Sequence, residues 1–172
     1  MNASLLLIAF ILIRFGLLNI LNKDGIKRAA LFAPLIGKEK VIYWFYQISN
    51  LLFFVYLFFL KITTDSYWFY AGLVISGLGL LLCLTSVYNF AKPEENGINI
   101  NGLYRISRNP MYVAYFIYFL GCVFLTQSII LLALLIVFQI SAHWIILSEE
   151  RWCINKFGGE YKNYMNEVRR YI

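Results

Sequence analysis

Charge is scarce in this chain: only 14% of its 172 residues are Asp, Glu, Lys or Arg, against 61% hydrophobic and 19% aromatic. A water-soluble core of that size cannot hide so much apolar surface, so lipid is expected to solvate much of it. Histidine is rarer still, with His143 alone, and Cys83, Cys122 and Cys153 stand far apart with no CxxC pair. Metal ligation needs several such side chains at short spacing, so no metal site is expected. Two of the cysteines lie in apolar runs, where a thiol packs as a small hydrophobe. The first apolar run has no basic stretch before it and no A-x-A-like site after it, and reads as a retained span rather than a removable leader.

Long apolar runs are what the chain has instead. A helix needs about 20 mostly apolar residues to cross the hydrocarbon. Five runs near that length occur, at 4–21, 41–62, 67–90, 110–126 and 128–147. They leave no room for a separate soluble domain, so the expectation is an all-α, integral membrane bundle of about five transmembrane helices, one domain over 1–172. The net charge of +6 sits beside the spans, which suits the anionic cytoplasmic leaflet better than nucleic acid. Lys23, Lys27, Arg28, Lys38 and Lys40 follow the first span, and Lys92, Arg105 and Arg108 follow the third. Arg151, Lys156, Lys162, Arg169 and Arg170 follow the fifth, whereas the opposite side has Lys61 alone. The positive-inside rule then puts the N-terminus outside and the C-terminus in the cytoplasm, with Arg14, inside the first run, snorkelling toward the basic side.

Local patterns add detail. The fourth and fifth spans are joined only by Thr126, Gln127 and Ser128, which forces a C-terminal helical hairpin. Gly72, Ser76 and Gly79 allow a neighbouring helix to approach closely. Gln47 and Asn50, one turn apart, read as interhelical hydrogen bonds or as the lining of a polar cavity. Phe157-Gly158-Gly159 reads as a helix stop. Beyond it Tyr161, Tyr164, Met165 and Val168 recur at helical spacing, so a cytoplasmic amphipathic tail lies on the membrane or against the bundle.

Two polar segments enter and leave the hairpin and therefore meet on one side of the membrane. In the first, Asn109-Pro110 has the grammar of a helix start, Asn as cap and Pro at the first helical position. Its free amides, with Arg105 and Arg108, offer an anion site, although the arginines also satisfy the positive-inside bias. In the second, Glu149-Glu150 is read as ending a membrane helix, where the negative pole disfavours carboxylates. A basic neighbour, Arg105 or Arg108, or a cationic ligand would offset that, as would simple solvation. His143 and Glu150, seven apart, share a helix face. His143 is a candidate base or a helix-to-helix hydrogen bond.

The stretch GLYRISRNPMY, Gly102 to Tyr112, resembles the G-x-Y-x-x-x-R-H-P-x-Y motif of the isoprenylcysteine carboxyl methyltransferase and phospholipid methyltransferase superfamily. Glu149-Glu150 followed by Phe157-Gly158-Gly159-Glu160-Tyr161 and Tyr164 is similar to that family's E-E…F-G-x-x-Y-x-x-Y ending. The resemblance implies a membrane methyltransferase using S-adenosylmethionine on a hydrophobic or lipid-like acceptor, such as an isoprenylcysteine-type carboxylate. It implies a cofactor-binding part at about 102–170, with Tyr104, Arg108, Asn109, Pro110, Tyr112, Glu149 and Glu150 as cofactor-binding residues and Glu150 and His143 as catalytic ones. In that reading Arg108 and the helix start take the cofactor carboxylate, Glu149 or Glu150 takes its ammonium or ribose hydroxyls, and loss of Glu150 abolishes transfer with the fold intact. Asn109 departs from the family's His, and Ile145 stands where the prenylcysteine enzymes carry a basic residue. Two other classes remain open: an NADPH-dependent membrane reductase of the sterol reductase type, whose R-x-P-x-Y segment is similar, and a noncatalytic membrane scaffold.

Overall fold

The computed structural model describes residues 1–172 and contains seven helices and no strand, with 74% of residues helical. We label them α1 (Leu5–Leu21), α2 (Lys23–Ala30), α3 (Glu39–Leu57), α4 (Tyr67–Phe90), α5 (Pro110–Thr126), α6 (Ile129–Phe157) and α7 (Gly159–Glu167). The two longest, α4 and α6, are long and apolar enough to cross a bilayer, while α1 and α5 are apolar but shorter.

Local chemistry sets most of the helix ends. Ser66 accepts a hydrogen bond from Trp68 N, and Ser128 one from Leu131 N, each offering a side-chain oxygen to an orphan amide of the first turn. Asn22 does two jobs: its oxygen accepts from Gly25 N at 2.9 Å to start α2, and its amide donates to Ala91 O at 2.9 Å. Gln127 takes a left-handed conformation, φ 50°, and closes α5 against Val123 O. Gly158, at φ 59°, ends α6 as the Phe157-Gly158-Gly159 stop leads one to expect.

Three boundaries differ from the sequence reading. The second apolar run reaches Ile62, but α3 stops at Leu57 and the chain turns through 58–66. The fifth does not end near Leu147: α6 continues for ten more residues, so Glu149 and Glu150 lie inside a helix, well before its negative pole. The carboxylates therefore owe their placement to partners and not to the helix end. The basic segment after the first run forms a helix of its own, α2.

The rods form antiparallel pairs. Residues Gly72, Ser76 and Gly79 of α4 face Leu125, Gly121 and Tyr118 of α5. A Cβ on Gly79 would overlap the Tyr118 backbone, and one on Gly121 would overlap the backbone of Ser76. Such close approach matters in lipid, where helix association depends on packing rather than on the hydrophobic effect. On the other side α3 runs along α6, with Tyr46 stacked on Phe138 and Arg151 on α6 bonded to Glu39 at 2.7 and 2.8 Å. Gln47 donates to Tyr43 one turn earlier at 2.7 Å, so it serves its own helix rather than bridging two. Between the pairs lies α1, whose Phe10 ring meets Phe54, Tyr115, Tyr118 and Phe119. Large apolar side chains such as Leu51, Leu81 and Ile129 face outward.

The connections sort to two ends. At one, Ala3 N donates to Leu60 O, Ile62 N to Met1 O and Thr63 N to Leu125 O. At the other, Asn22 meets Ala91 and Arg28 meets the 90–99 loop, Nη2 to Phe90 O at 2.8 Å and Nη1 to Gly97 O and Asn99 Oδ1 at 3.3 Å. The tail helix α7 packs against the bundle: Tyr161 and Tyr164 cluster with Ile98, Cys153, Ile154 and Phe157.

Gly79→Ala and Gly121→Ala should each lower the thermal midpoint in detergent, by about 1–3 kcal/mol of overpacking, because backbone cannot step aside for the new methyl. Gly77→Ala, with nothing within 4 Å of its new Cβ, should be neutral or stabilising. Equal midpoints for all three would refute the close-packed pairing of α4 and α5.

Candidate functional site

Where α5 begins and α6 emerges from its apolar section, a buried carboxylate organises the chain. Glu150 is 4% exposed and each of its oxygens meets a guanidinium. Oε1 accepts from Arg108 Nε at 3.0 Å and lies 2.9 Å from Arg108 Nη2, while Oε2 accepts from Arg170 Nε at 3.0 Å and Nη2 at 2.8 Å. The remaining Arg108 nitrogen, Nη1, donates to the carbonyls of Met165 at 3.1 Å and Val168 at 2.6 Å. Backbone adds to the same knot, with Arg108 N donating to Arg169 O at 2.9 Å and Ser107 Oγ to Arg170 O at 3.3 Å. Asn109 precedes α5 as read from the sequence, but its side chain does not cap the helix. Its amide donates to Arg170 O at 3.2 Å and, weakly, to Glu150 Oε1 at 3.5 Å. All three nitrogens of Arg108 and both oxygens of Glu150 are thus engaged within the chain.

One residue earlier, Glu149 has a different task. Consecutive helix positions are rotated by about 100°, so the two carboxylates point apart. Glu149 accepts a single hydrogen bond, from Tyr112 Oη at 3.1 Å, and borders a cavity of about 300 Å³. That volume lies at the lower end of ordinary small-molecule sites. Aromatic walls come from α3 (Tyr46), α4 (Phe90), α5 (Tyr112, Tyr115) and the α6 extension (Trp152, Phe157). The 3₁₀ turn Gly102–Arg105 supplies Tyr104, and the segment after α2 supplies Leu31, Phe32 and Ala33. That turn depends on glycine: Gly102 has φ 50° and a Cβ there would overlap Asn89, whose Oδ1 accepts from Leu103 N. Burial pushes the phenols of Tyr104 and Tyr164 above their ordinary range, and the Tyr164 hydroxyl stays a donor to Tyr104 O at 2.6 Å.

The cavity's cations are Arg14, Arg28, Arg108 and Lys156. Arg28 is tied to the 90–99 loop and Arg108 to Glu150, whereas Lys156 stacks over Trp152 and Phe157 at 4.7 and 5.1 Å. Of the residues named from sequence, Tyr104, Arg108, Asn109, Tyr112, Glu149 and Glu150 all border the cavity. Pro110 is buried at the start of α5, outside the lining. His143 is also outside it, its Nδ1 2.6 Å from the Tyr171 hydroxyl, two turns along α6 from Glu150. Ile145 is buried in the main core, away from the cavity. Sequence reasoning missed Arg14, Arg28, Tyr46, Asn99 and Tyr115 as lining residues, and Arg170 as the second partner of Glu150. A lone charge in the first apolar run was a signal for Arg14; for the others there was none. No cluster of three or more His, Cys, Asp or Glu gathers anywhere in the fold.

A helical bundle with a carboxylate-bearing, aromatic-walled cavity at its basic end defines a class of small-molecule site set into an apolar scaffold. The family model for phospholipid methyltransferase matches residues 84–160, from within α4 to the first turn of α7. Over that stretch the chain is similar to the phospholipid methyltransferase family, in keeping with the resemblance of its two motifs. The match spans less than half of the chain, and α1 to α3 lie outside it. Comparison with curated proteins and with solved structures finds no match.

Because Glu150 is clamped between two guanidinium groups, its substitution should strike the fold as well as any activity. Glu150→Ala, which leaves the buried Arg108 guanidinium without a carboxylate, should cost about 3–5 kcal/mol and free the tail. Trypsin should then cut at Lys162 or Arg169 far faster than in the parent chain. An unchanged midpoint and cleavage rate would remove the clamp from this account.

Proposed function

We propose that this chain is a membrane methyltransferase that takes a methyl group from S-adenosylmethionine and delivers it to a hydrophobic or lipid-like acceptor. The observation that carries the reading is Glu149: a carboxylate with one hydrogen-bond partner, set among aromatic rings in a cavity bordered by the family-matched residues. The donor set fits the cofactor. Its sulfonium and ammonium are cations, which a carboxylate and the aromatic rings of Tyr46 and Tyr112 attract. Its carboxylate suits the free ammonium of Lys156 at the rim.

When bound, the cofactor supplies a methyl group already activated by positive sulfur. The chain's own part is to bind, orient and exclude water. Glu149 holds the cationic end, oriented by the Tyr112 hydroxyl on one of its oxygens. Tyr104, buried under the tail, closes the polar side, and Leu31, Phe32 and Ala33 close the side toward α2. Alignment of two bound groups in a water-poor cavity is worth several orders of magnitude in rate without any acid or base. His143, engaged with Tyr171 away from the cavity, is given no proton to move in this scheme. Arg108 and Glu150, offered by the sequence to the cofactor itself, instead hold the tail across the site. Nothing observed favours the reductase or the scaffold reading.

We further propose that α1, α3, α4, α5 and α6 all cross the membrane, with the N-terminus outside and the cavity at the cytoplasmic face. The sorting of connections to two ends and the gathering of basic residues at the cavity end support this.

In calorimetric titrations of the detergent-purified protein, S-adenosylhomocysteine should bind and NADPH should not. Glu149→Gln, which keeps the Tyr112 contact and removes charge, should weaken that binding about tenfold or more at unchanged thermal midpoint. Unaltered affinity in the variant, or NADPH binding alone, would overturn the assignment. For the topology, a cysteine at Asn96 should label with a membrane-impermeant maleimide in inside-out vesicles and one at Thr64 in right-side-out cells. The reverse pattern would invert the orientation, and labelling of both from one side would break the five-span count.

A further inference from the structure

The cavity contains a second charge that the proposed methyl transfer does not use. Arg14 lies on α1, outside the family-matched stretch, in a π-helical segment, Leu12–Leu17, that interrupts an otherwise α-helical rod. Such distortions cost backbone hydrogen-bond quality and occur often at functional sites. The guanidinium lines the cavity, yet it makes one hydrogen bond within the chain, Nη2 to Ala29 O at 3.3 Å. No carboxylate lies within ion-pair distance, Glu149 included. Its remaining contacts are aromatic, with ring centroids of Phe15 at 5.4 Å and Tyr115 at 5.9 Å.

That arrangement is unusual on energetic grounds. A guanidinium amid apolar helices is expensive unless its donors are satisfied, and an ionisable group at such depth is retained for a partner. Arg108, also on the cavity, spends every nitrogen internally; half-buried Arg14 makes a single hydrogen bond within the chain. The two charges also sit at different levels. Glu149 is bonded to Tyr112, and Arg14 sits against Tyr115, one turn further along α5 from its start at the basic end. A cation at Glu149 and an anion at Arg14 can therefore occupy the cavity together, the anion deeper among the aromatic rings.

We propose that Arg14 is the specificity-determining residue for the methyl acceptor, holding a carboxylate or phosphate oxyanion whose alkyl portion lies among the aromatic side chains. This rests on the methyltransferase reading for the word acceptor, but the anion site stands on Arg14 itself. The guanidinium fork matches either oxyanion in a bidentate manner, which a neutral alcohol or ester cannot exploit. Acceptors of one chain length should thus divide by charge.

The test uses the full chain in nonionic detergent, with decanoate, decyl phosphate and decanol as probes and S-adenosylhomocysteine as the donor-side ligand. Binding is read by calorimetry for the parent, Arg14→Gln and Arg14→Lys, with unliganded midpoints recorded as a folding control. The expected result is tighter binding of both anions than of decanol in the parent, a loss of about tenfold or more for the anions in Arg14→Gln, partial recovery in Arg14→Lys, and S-adenosylhomocysteine affinity unchanged in both. Should Arg14→Gln fail to fold, Arg14→Lys carries the comparison: it must weaken the anions and spare decanol. If the substitutions weaken S-adenosylhomocysteine and leave the decyl anions alone, the oxyanion at Arg14 belongs to the donor and the acceptor assignment is overturned. Equal affinity of anions and decanol in the parent overturns the anion site altogether. Arg14-dependent anion binding in a protein that ignores S-adenosylhomocysteine would uphold the anion site while sinking the methyltransferase reading, so the two failures are distinguishable.

Discussion

The ion cluster of Glu150 with Arg108 and Arg170 is the constraint on which the rest of the site depends. It joins the extension of α6, the entry to α5 and the last residues of the chain at one buried point. A lone carboxylate at 4% exposure would be strongly disfavoured, and two guanidinium groups with matching donors offset that cost. Whatever the pair contributes to net stability, it allows few alternative positions for the tail, because several backbone carbonyls of 165–170 are bonded at the same time. With the tail so placed, Tyr161 and Tyr164 close over Ile98 and the Tyr104 turn, and the cavity acquires its polar wall.

The same clamp explains how adjacent glutamates divide their work. Neighbouring helix positions diverge by about 100°, so a helix that presents Glu150 to the arginines must turn Glu149 elsewhere. Elsewhere is the cavity, where Tyr112 leaves one carboxylate oxygen free. The two carboxylates thus meet different partners although they stand one residue apart.

A second constraint acts from within the apolar section. The glycines of α4 and α5 bring two backbones together, while α1 meets the bundle through ring contacts around Phe10. The π-helical segment of α1 begins two residues beyond Phe10, and within it Arg14, one turn past Phe10, lies against Tyr115. The cavity lies at the basic end of the bundle, and its lining comes from all seven helices and two loops. A site assembled in this way has no counterpart in any single motif.

Much of this was legible in the order of residues. Lipid solvation follows from composition, the glycine ridge of α4 from spacing, the hairpin from a three-residue link, and the polar segments at its mouth from two motifs about 40 residues apart. Those inferences work because they concern hydrophobicity, reach along the chain and helical phase, which are properties of local sequence. What local sequence could not supply was the partner across space. Glu149 and Glu150 are chemically identical neighbours, and the positions in space of Arg108, Arg170 and Tyr112 decide which is clamped by guanidinium groups and which keeps a free oxygen. Asn109 has the grammar of a cap but spends its amide on Arg170 O, and Arg14, expected to reach toward the basic side, bonds Ala29 O of α2 and lies against Tyr115. The sequence by itself determined an apolar, helical chain whose motifs are similar to those of a methyltransferase family; the tertiary structure alone decided which charges are spent on one another, because charge pairing depends on distance in space.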